Sequence, residues 1–263
     1  MVGSNDSFAD HGIDHLSASQ INTFIANPCR WILRVSGYTD KAGNANMWRG
    51  TATDKAVCAM LGDGLSKEDA LELGIKSYAD ELRWAKKISD SGIDLKIHQT
   101  NSERLPKYIN AALDFYSDKG SPVATQEKIE IQDESISVPI IGYIDLRYAD
   151  AVRDIKTAAR KPANDKLTEA VNRQMAVYWR ATELVPVADY IIVTAKTVTT
   201  QTYPVLDIDV HWDMVIRAAR AMQRVLSISV DIEEIASHYI PDFSDWTWSE
   251  AEINEAKKLW RLK

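Results

Sequence analysis

Cysteine is scarce: 263 residues contain only Cys29 and Cys58. Two thiols are too few for a disulfide framework or a cysteine-only metal centre, so a reducing cytoplasm is the expected location. Long apolar runs are missing as well. Nothing approaches the roughly 18 consecutive apolar residues that a membrane span needs, and no membrane partner is expected. The opening stretch MVGSNDSFADHGIDH has no apolar signal-peptide core and reads as a short disordered leader over residues 1–15. Internal repeats, low-complexity tracts and long linkers are also lacking. Positive charge is in deficit overall, with a net charge of −7, which argues against a general nucleic-acid coat. Between Arg153 and Arg180, however, seven basic residues face three acidic ones, a local balance suited to a polyanion.

What is present is an ordinary globular composition, 45% apolar and 26% charged, in a chain long enough for a full hydrophobic core. One domain is expected over residues 16–263. Its first part, 16–120, is read as mostly helical: a helix capped by Ser17 or Ser19 and stopping at Asn27-Pro28, and a second from about Gly50 to Gly62. Two more are expected on either side of a break near Gly74, and another ends at Gly120. From Pro122 the texture changes to β-branched, strand-like runs. A sheet core over 121–210, interrupted by a helix of about 20 residues in DKLTEAVNRQMAVYWRATEL, then gives way to C-terminal helices over 211–263.

The segment GYIDLRYADAVRDIKTA carries the most chemistry. With Ala149-Asp150 as a two-residue turn, Leu146 pairs with Arg153 and Asp145 lies directly opposite Asp154. Opposed like charges, with Cβ atoms roughly 5 Å apart, are destabilising. Alternation along a strand puts Lys156 on the face of Asp154, and Ile144, Leu146 and Ile155 on the other, apolar face. Two carboxylates and an ammonium on one surface suit a hard divalent cation, Mg²⁺ or Mn²⁺. A lysine beside that cation can orient or deprotonate water, an arrangement that fits phosphodiester hydrolysis. Scattered charges on an exposed hairpin are the alternative. In the following helix, Leu167, Ala170, Val171, Gln174, Tyr178 and Ala181 share one face. A glutamine in that stripe needs a hydrogen-bond partner.

GYIDL followed by VRDIKTA resembles the core motif of the PD-(D/E)XK nucleases, in the RecB-like branch that includes CRISPR-associated and phage exonucleases. Gly142, Asp145, Asp154, Lys156 and Thr157 match that motif, and Gln174 and Tyr178 match the Gln and Tyr of the family's next helix. LSASQINTFIANPCRW and RGTATDKAV are similar to the branch's opening segments, so the resemblance runs from about Leu16 to Trp248. It implies a restriction-endonuclease-like α/β fold: a mixed central sheet flanked by helices, with an N-terminal helical elaboration.

The implied activity is metal-dependent hydrolysis of DNA, exonucleolytic rather than endonucleolytic, in phage or mobile-element recombination, repair or degradation. No helix-turn-helix or zinc finger is present to read bases. Asp145, Asp154 and the Ile155 carbonyl would hold Mg²⁺ or Mn²⁺, Lys156 would assist the water, and Gln174 and Tyr178 would orient Lys156 or the phosphate. Asp54 aligns with the family's metal-binding histidine, with a surface residue as the alternative. Glu127 is either a further ligand or a solvent-facing strand residue. Arg160, Lys161 and Arg173 would contact the DNA backbone, and a homo-oligomer is compatible with the sequence. No iron–sulfur cluster is expected: Asn27 and Trp248 stand where cluster-bearing relatives have cysteines, and the Trp-rich tail would substitute apolar packing. The alternative is an inactive nuclease fold serving as a DNA-binding or assembly subunit.

Overall fold

The computed structural model describes residues 6–39, 43–88 and 95–262. In chain order the elements are β1 (Leu16–Ser17), α1 (Ala18–Ala26), α2 (Pro28–Val35), α3 (Ala45–Gly62), α4 (Lys67–Ile88) and α5 (Leu95–Ser117). They continue with β2 (Ala124–Ile131), β3 (Ile140–Arg147), β4 (Ala151–Ala158), α6 (Glu169–Thr182), β5 (Val185–Val193) and β6 (Val198–Pro204). The chain closes with α7 (Ile208–Leu226), α8 (Ile232–Ser237) and α9 (Glu250–Leu259). The sheet is mixed, in the order β1-β3-β4-β5-β6, with β2 also paired to β3. The β4–β5 pair is parallel, because the α6 crossover returns the chain in the same direction, whereas β3–β4 and β5–β6 are antiparallel. Helices before strands and a mixed sheet are the fold class expected from sequence.

The chain divides into two compact units, each assembled from segments distant in sequence. The first comprises Met1–Asp40, Glu130–Gly142 and Asp207–Lys263. Here the leader expectation needs correction. Phe8 is fully buried and the Ser7 hydroxyl donates to the Gln223 carbonyl at 3.0 Å, so the stretch from Asp6 is anchored by one aromatic side chain in an otherwise polar run. Residues 1–5 lie outside the described residues. Ser17 and Gln20 form a reciprocal capping box at α1, and Asn27 caps α2 with Pro28 in its first turn. In the tail, Trp248 is buried with Cys29, Leu33 and Ala256, and meets the Phe243 ring edge-on at 5.5 Å. Apolar packing is thus what surrounds Trp248, although Trp246 is 91% exposed.

The second unit comprises Lys41–Ile129 and Tyr143–Leu206. Its main core joins α3, α4 and α5 to one sheet face through Val57, Tyr78, Ile109, Leu113, Leu146, Ile155 and Ile191. On the other face, Ala188, Tyr190 and Ile192 pack with Leu167 and with Val171 of α6. Period-2 alternation along β4 therefore turns Ile155 toward the helical layer and leaves Asp154 and Lys156 on the α6 side. The helix expected over about 20 residues is shorter. It begins at Glu169 behind Thr168, whose hydroxyl accepts from the Val171 N–H, because Asn164 and Asp165 hold left-handed backbone angles that a helix cannot contain.

The break expected near Gly74 does not occur, since α4 runs through it. Gly74 marks a close approach instead. A Cβ there would lie 2.7 Å from Ile109 Cδ1 and 2.9 Å from the Ala52 carbonyl oxygen. Alanine at an exposed helical position would gain about 1 kcal/mol of helix propensity over glycine. Overpacking against a backbone carbonyl costs about 1–3 kcal/mol, so the Gly74→Ala protein is expected to be less stable than the wild type in urea unfolding. A net stabilisation would contradict this close helix contact.

Candidate active site

The β3–β4 hairpin has the register read from the sequence: Leu146 pairs with Arg153, Arg147 with Val152, and the Tyr148 N–H donates to the Ala151 carbonyl at 2.8 Å. The ladder pairing ends at Leu146–Arg153, and beyond it the Asp145 side chain takes the place of a ladder acceptor. Asp145 Oδ2 accepts the Ile155 N–H at 2.8 Å. Lys156 Nζ lies 2.6 Å from Asp154 Oδ2, an ion-pair contact outside hydrogen-bond geometry, and donates to Gln174 Oε1 at 2.9 Å.

From α6, Gln174 Nε2 donates to Asp154 Oδ1 at 3.0 Å and to the Tyr178 hydroxyl at 2.7 Å. Tyr178 in turn donates to the Tyr143 carbonyl at 2.7 Å. This chain settles the amide orientation of Gln174, with its oxygen toward the ammonium and its nitrogen toward the carboxylate. Asp145, Asp154, Lys156, Gln174 and Tyr178 are therefore assembled into one polar constellation. Asp154 is almost wholly buried, while 27% of the Lys156 side chain remains accessible.

Asp54 joins from α3. Gln126 Nε2 donates to Asp54 Oδ2 at 2.7 Å and to Asp145 Oδ1 at 3.3 Å, and the Cys58 thiol one turn on donates to Asp54 Oδ1 at 3.5 Å. Gln126 occupies a left-handed backbone conformation, φ +49°, within β2. Strain of this kind persists only where its surroundings over-determine it, and here the amide is held by two carboxylates. The neighbouring Glu127 requires a correction. Its carboxylate pairs with Arg147 Nε and is not among the acids of the site, because adjacent strand residues point to opposite faces. Sequence reasoning had no signal to prefer Gln126 or Cys58, which meet the site only through tertiary packing.

The electrostatics follow from burial and crowding. Burial raises the Asp145 pKa well above the usual carboxylate range, and repulsion from Asp154 and Asp54 adds to it. Asp54 is pushed up to about 6, first by burial and further by Asp154, against the lowering bond from Cys58. Asp154 is also raised by burial, with Lys156 opposing. Burial alone would lower Lys156, but the facing Asp154 and Asp145 carboxylates outweigh it and raise its pKa. Lys156 is accordingly held as an ammonium.

The donor chemistry fits a hard cation: three mutually repelling carboxylates, with Asp154 Oδ2 buried outside hydrogen-bond geometry. Among the described residues, though, no three His, Cys, Asp or Glu side chains are grouped closely enough to share one ion. The Gln126 amide bridges Asp54 and Asp145, and Lys156 covers Asp154. Of the expected DNA contacts, Arg160 and Lys161 are exposed just after β4. Arg173 is buried on α6 beside Glu169, so its assignment as a surface DNA contact is corrected. A further buried carboxylate, Asp189, is balanced by Arg153, which donates to both its oxygens at 3.1 and 2.8 Å, and by Tyr116 and Thr202. An aspartate inside the apolar run VPVADYIIV was its one visible trace.

A pH dependence follows in the metal-free protein. Folded Asp54, near 6, keeps a proton that the unfolded chain, near 3.8, has already lost. Stability therefore falls as pH rises from about 4 to 6. Urea unfolding in EDTA should show this slope, Asp54→Asn should reduce it, and added Mg²⁺ should restore stability above pH 6. An unchanged slope in the variant would refute the assignment.

The geometry can be set beside known proteins. Among solved structures, the chain resembles a "Putative exonuclease" from Eubacterium rectale, with 13% identity, a TM-score of 0.52, and coverage of 92% of this chain and 88% of that one. At that identity the likeness shows a shared fold. SSO0001 also matches, at 15% identity over 56% of this chain and 70% of that one, with a TM-score of 0.32. No curated protein matches the sequence. A family description of the PD-(D/E)XK nuclease superfamily matches residues 15–231, which include every residue of the constellation around Lys156. The chain belongs to the PD-(D/E)XK nuclease superfamily.

Proposed function

We propose that this chain is a divalent-metal-dependent deoxyribonuclease of the RecB-like branch, acting as an exonuclease on linear DNA. The observation that carries the reading is the set Asp154–Lys156–Gln174–Tyr178, linked side chain to side chain, with Asp145 tied to the same strand through the Ile155 N–H. Asp145 and Asp154, with the Ile155 carbonyl and with Asp54 from α3, would hold Mg²⁺ or Mn²⁺. A bound divalent cation would neutralise the crowded carboxylates and lower the pKa of water at neutral pH.

The protein's own groups have separable tasks. Gln126 donates to Asp54 and Asp145 and must release them for cation entry. Lys156, held cationic by Asp154 and steered by Gln174 Oε1, can donate to a phosphate oxygen and stabilise negative charge developing there. Tyr178 keeps the Gln174 amide turned toward Asp154, so an acceptor and not a second donor faces the ammonium. Arg160 and Lys161, exposed just beyond the same strand, are suited to the flanking backbone.

One observation favours the second reading, an inactive DNA-binding or assembly subunit: aspartate stands where the branch has a histidine ligand, and the Gln126 amide bridges that aspartate to Asp145. Purified protein incubated with end-labelled linear DNA and Mn²⁺, beside Lys156→Ala, separates the two. The expected outcome is degradation by the wild type and a loss of about 10²–10⁴-fold in the variant. Equal degradation by both would identify a contaminant. No degradation with either Mg²⁺ or Mn²⁺ would favour the inactive subunit.

A further inference from the structure

The Gln126 amide stands between two carboxylates that reach it from different elements. Its Nε2 donates to Asp54 Oδ2 of α3 at 2.7 Å and to Asp145 Oδ1 of β3 at 3.3 Å, with the Cys58 sulfur 3.8 Å away. Two acidic oxygens on one nitrogen form an arrangement that a shared cation also satisfies, but an amide is neutral and offsets none of the negative charge. The same nitrogen keeps the two acids apart, and among the described residues no three metal-ligating side chains gather around one point.

The backbone at this point departs from a regular strand. Gln126 has φ +49°, a left-handed angle that non-glycine residues rarely adopt. The chain is pinned on either side of it. Before it, the Val123 N–H donates to the Arg147 carbonyl at 2.6 Å, and Thr125 packs against the end of α3, where a Cβ on Gly62 would lie 3.0 Å from Thr125 Oγ1. After it, the Glu127 carboxylate pairs with Arg147. With both neighbours fixed, the contacts that offset the strained angle are the amide's own, to Asp54 and Asp145.

We propose that Gln126 sets the divalent-cation affinity of this site by acting as an internal competitor, its amide closing the gap between Asp54 and Asp145 that a cation must open. The inference rests on the nuclease reading for the need of a cation, and deepens it by naming the residue that controls how tightly one is held. Gln126 works through the two aspartates, so it is a positioning residue and not a catalytic one. The sign follows from population shift. Bonds made only in the closed arrangement must break before the acids turn to a cation, so they weaken its apparent affinity by the free energy they contribute. Removing the amide therefore strengthens cation binding, the opposite of what removing a ligand does.

The test is direct binding of Mn²⁺ to chelator-stripped protein, with the free ion measured by electron paramagnetic resonance, so that no cleavage is needed. Gln126→Ala is the main variant. Gln126→Gly is the second, because glycine takes a left-handed angle without strain and keeps the fold if alanine does not. Loss of hydrogen bonds to charged acceptors should tighten Mn²⁺ binding roughly tenfold in both. In an Asp54→Asn background the amide has one acid left to hold, and the gain from Gln126→Ala should shrink.

Weaker Mn²⁺ binding by Gln126→Ala and Gln126→Gly would overturn the proposal and make the amide oxygen a ligand. Unchanged binding with a lower urea midpoint would also overturn it, leaving Gln126 a purely structural role. A gain undiminished by Asp54→Asn would do the same, since the bridge would not be its cause. Failure of the nuclease reading is seen separately, as tightened Mn²⁺ binding in both variants without cleavage of linear DNA by any of the proteins. Absence of Mn²⁺ binding in the wild type and both variants would sink the two together.

Discussion

The contact between Lys156 and Asp154, 2.6 Å apart on a strand whose aspartate is buried, is the constraint around which the catalytic unit is arranged. An aspartate with almost no access to water is tolerable only if its oxygens are engaged. Lys156 meets one oxygen, Gln174 the other, and Tyr178 holds Gln174 through a bond that ends on the Tyr143 backbone. That requirement brings α6 onto one face of β4. On the opposite face Ile155, between the two charged residues, packs into the apolar core with α3 and α5. A single strand therefore serves two incompatible environments through its alternation.

The same strand links two polar systems of opposite sign. Around Asp145, burial raises the pKa values of three carboxylates, and repulsion from Asp154 adds to the shifts of Asp145 and Asp54. On the other face the buried Arg49 guanidinium is held by Thr157, Asn46 and Asn101. The two are joined covalently through Lys156-Thr157. Natural sites commonly retain such local costs where binding is their function.

Much of the hairpin was legible because its information is local. A two-residue turn sets the register of Leu146–Arg153 and Arg147–Val152, and alternation sets the faces, so that Asp154 and Lys156 share a face could be read from seventeen residues. A helix cap at Ser17 or Ser19 was visible for the same reason, and Ser17 fills it. Gln174 and Tyr178, four residues apart, had to share a helical face, although what they touch was not readable. Gly74 shows where local reading fails. Glycine in a helical pattern suggested a break, while the structure uses its missing side chain to admit the Ala52 carbonyl and Ile109.

By itself the sequence determined the chemistry of the hairpin, the alternation of helical and strand segments, and the lack of thiols for a four-cysteine cluster, since each depends on residue type and short-range spacing. Tertiary structure alone decided which residues complete the site. It chose Gln126 over Glu127, because the phase of β2 relative to β3 selects one face. It brought Asp54 to Asp145 across 91 residues of chain, buried Arg173, and enclosed Arg49 between two asparagines and a threonine. The physical reason is common to all four: whether a charged side chain is paired, buried or exposed depends on neighbours that are close in space and distant in sequence.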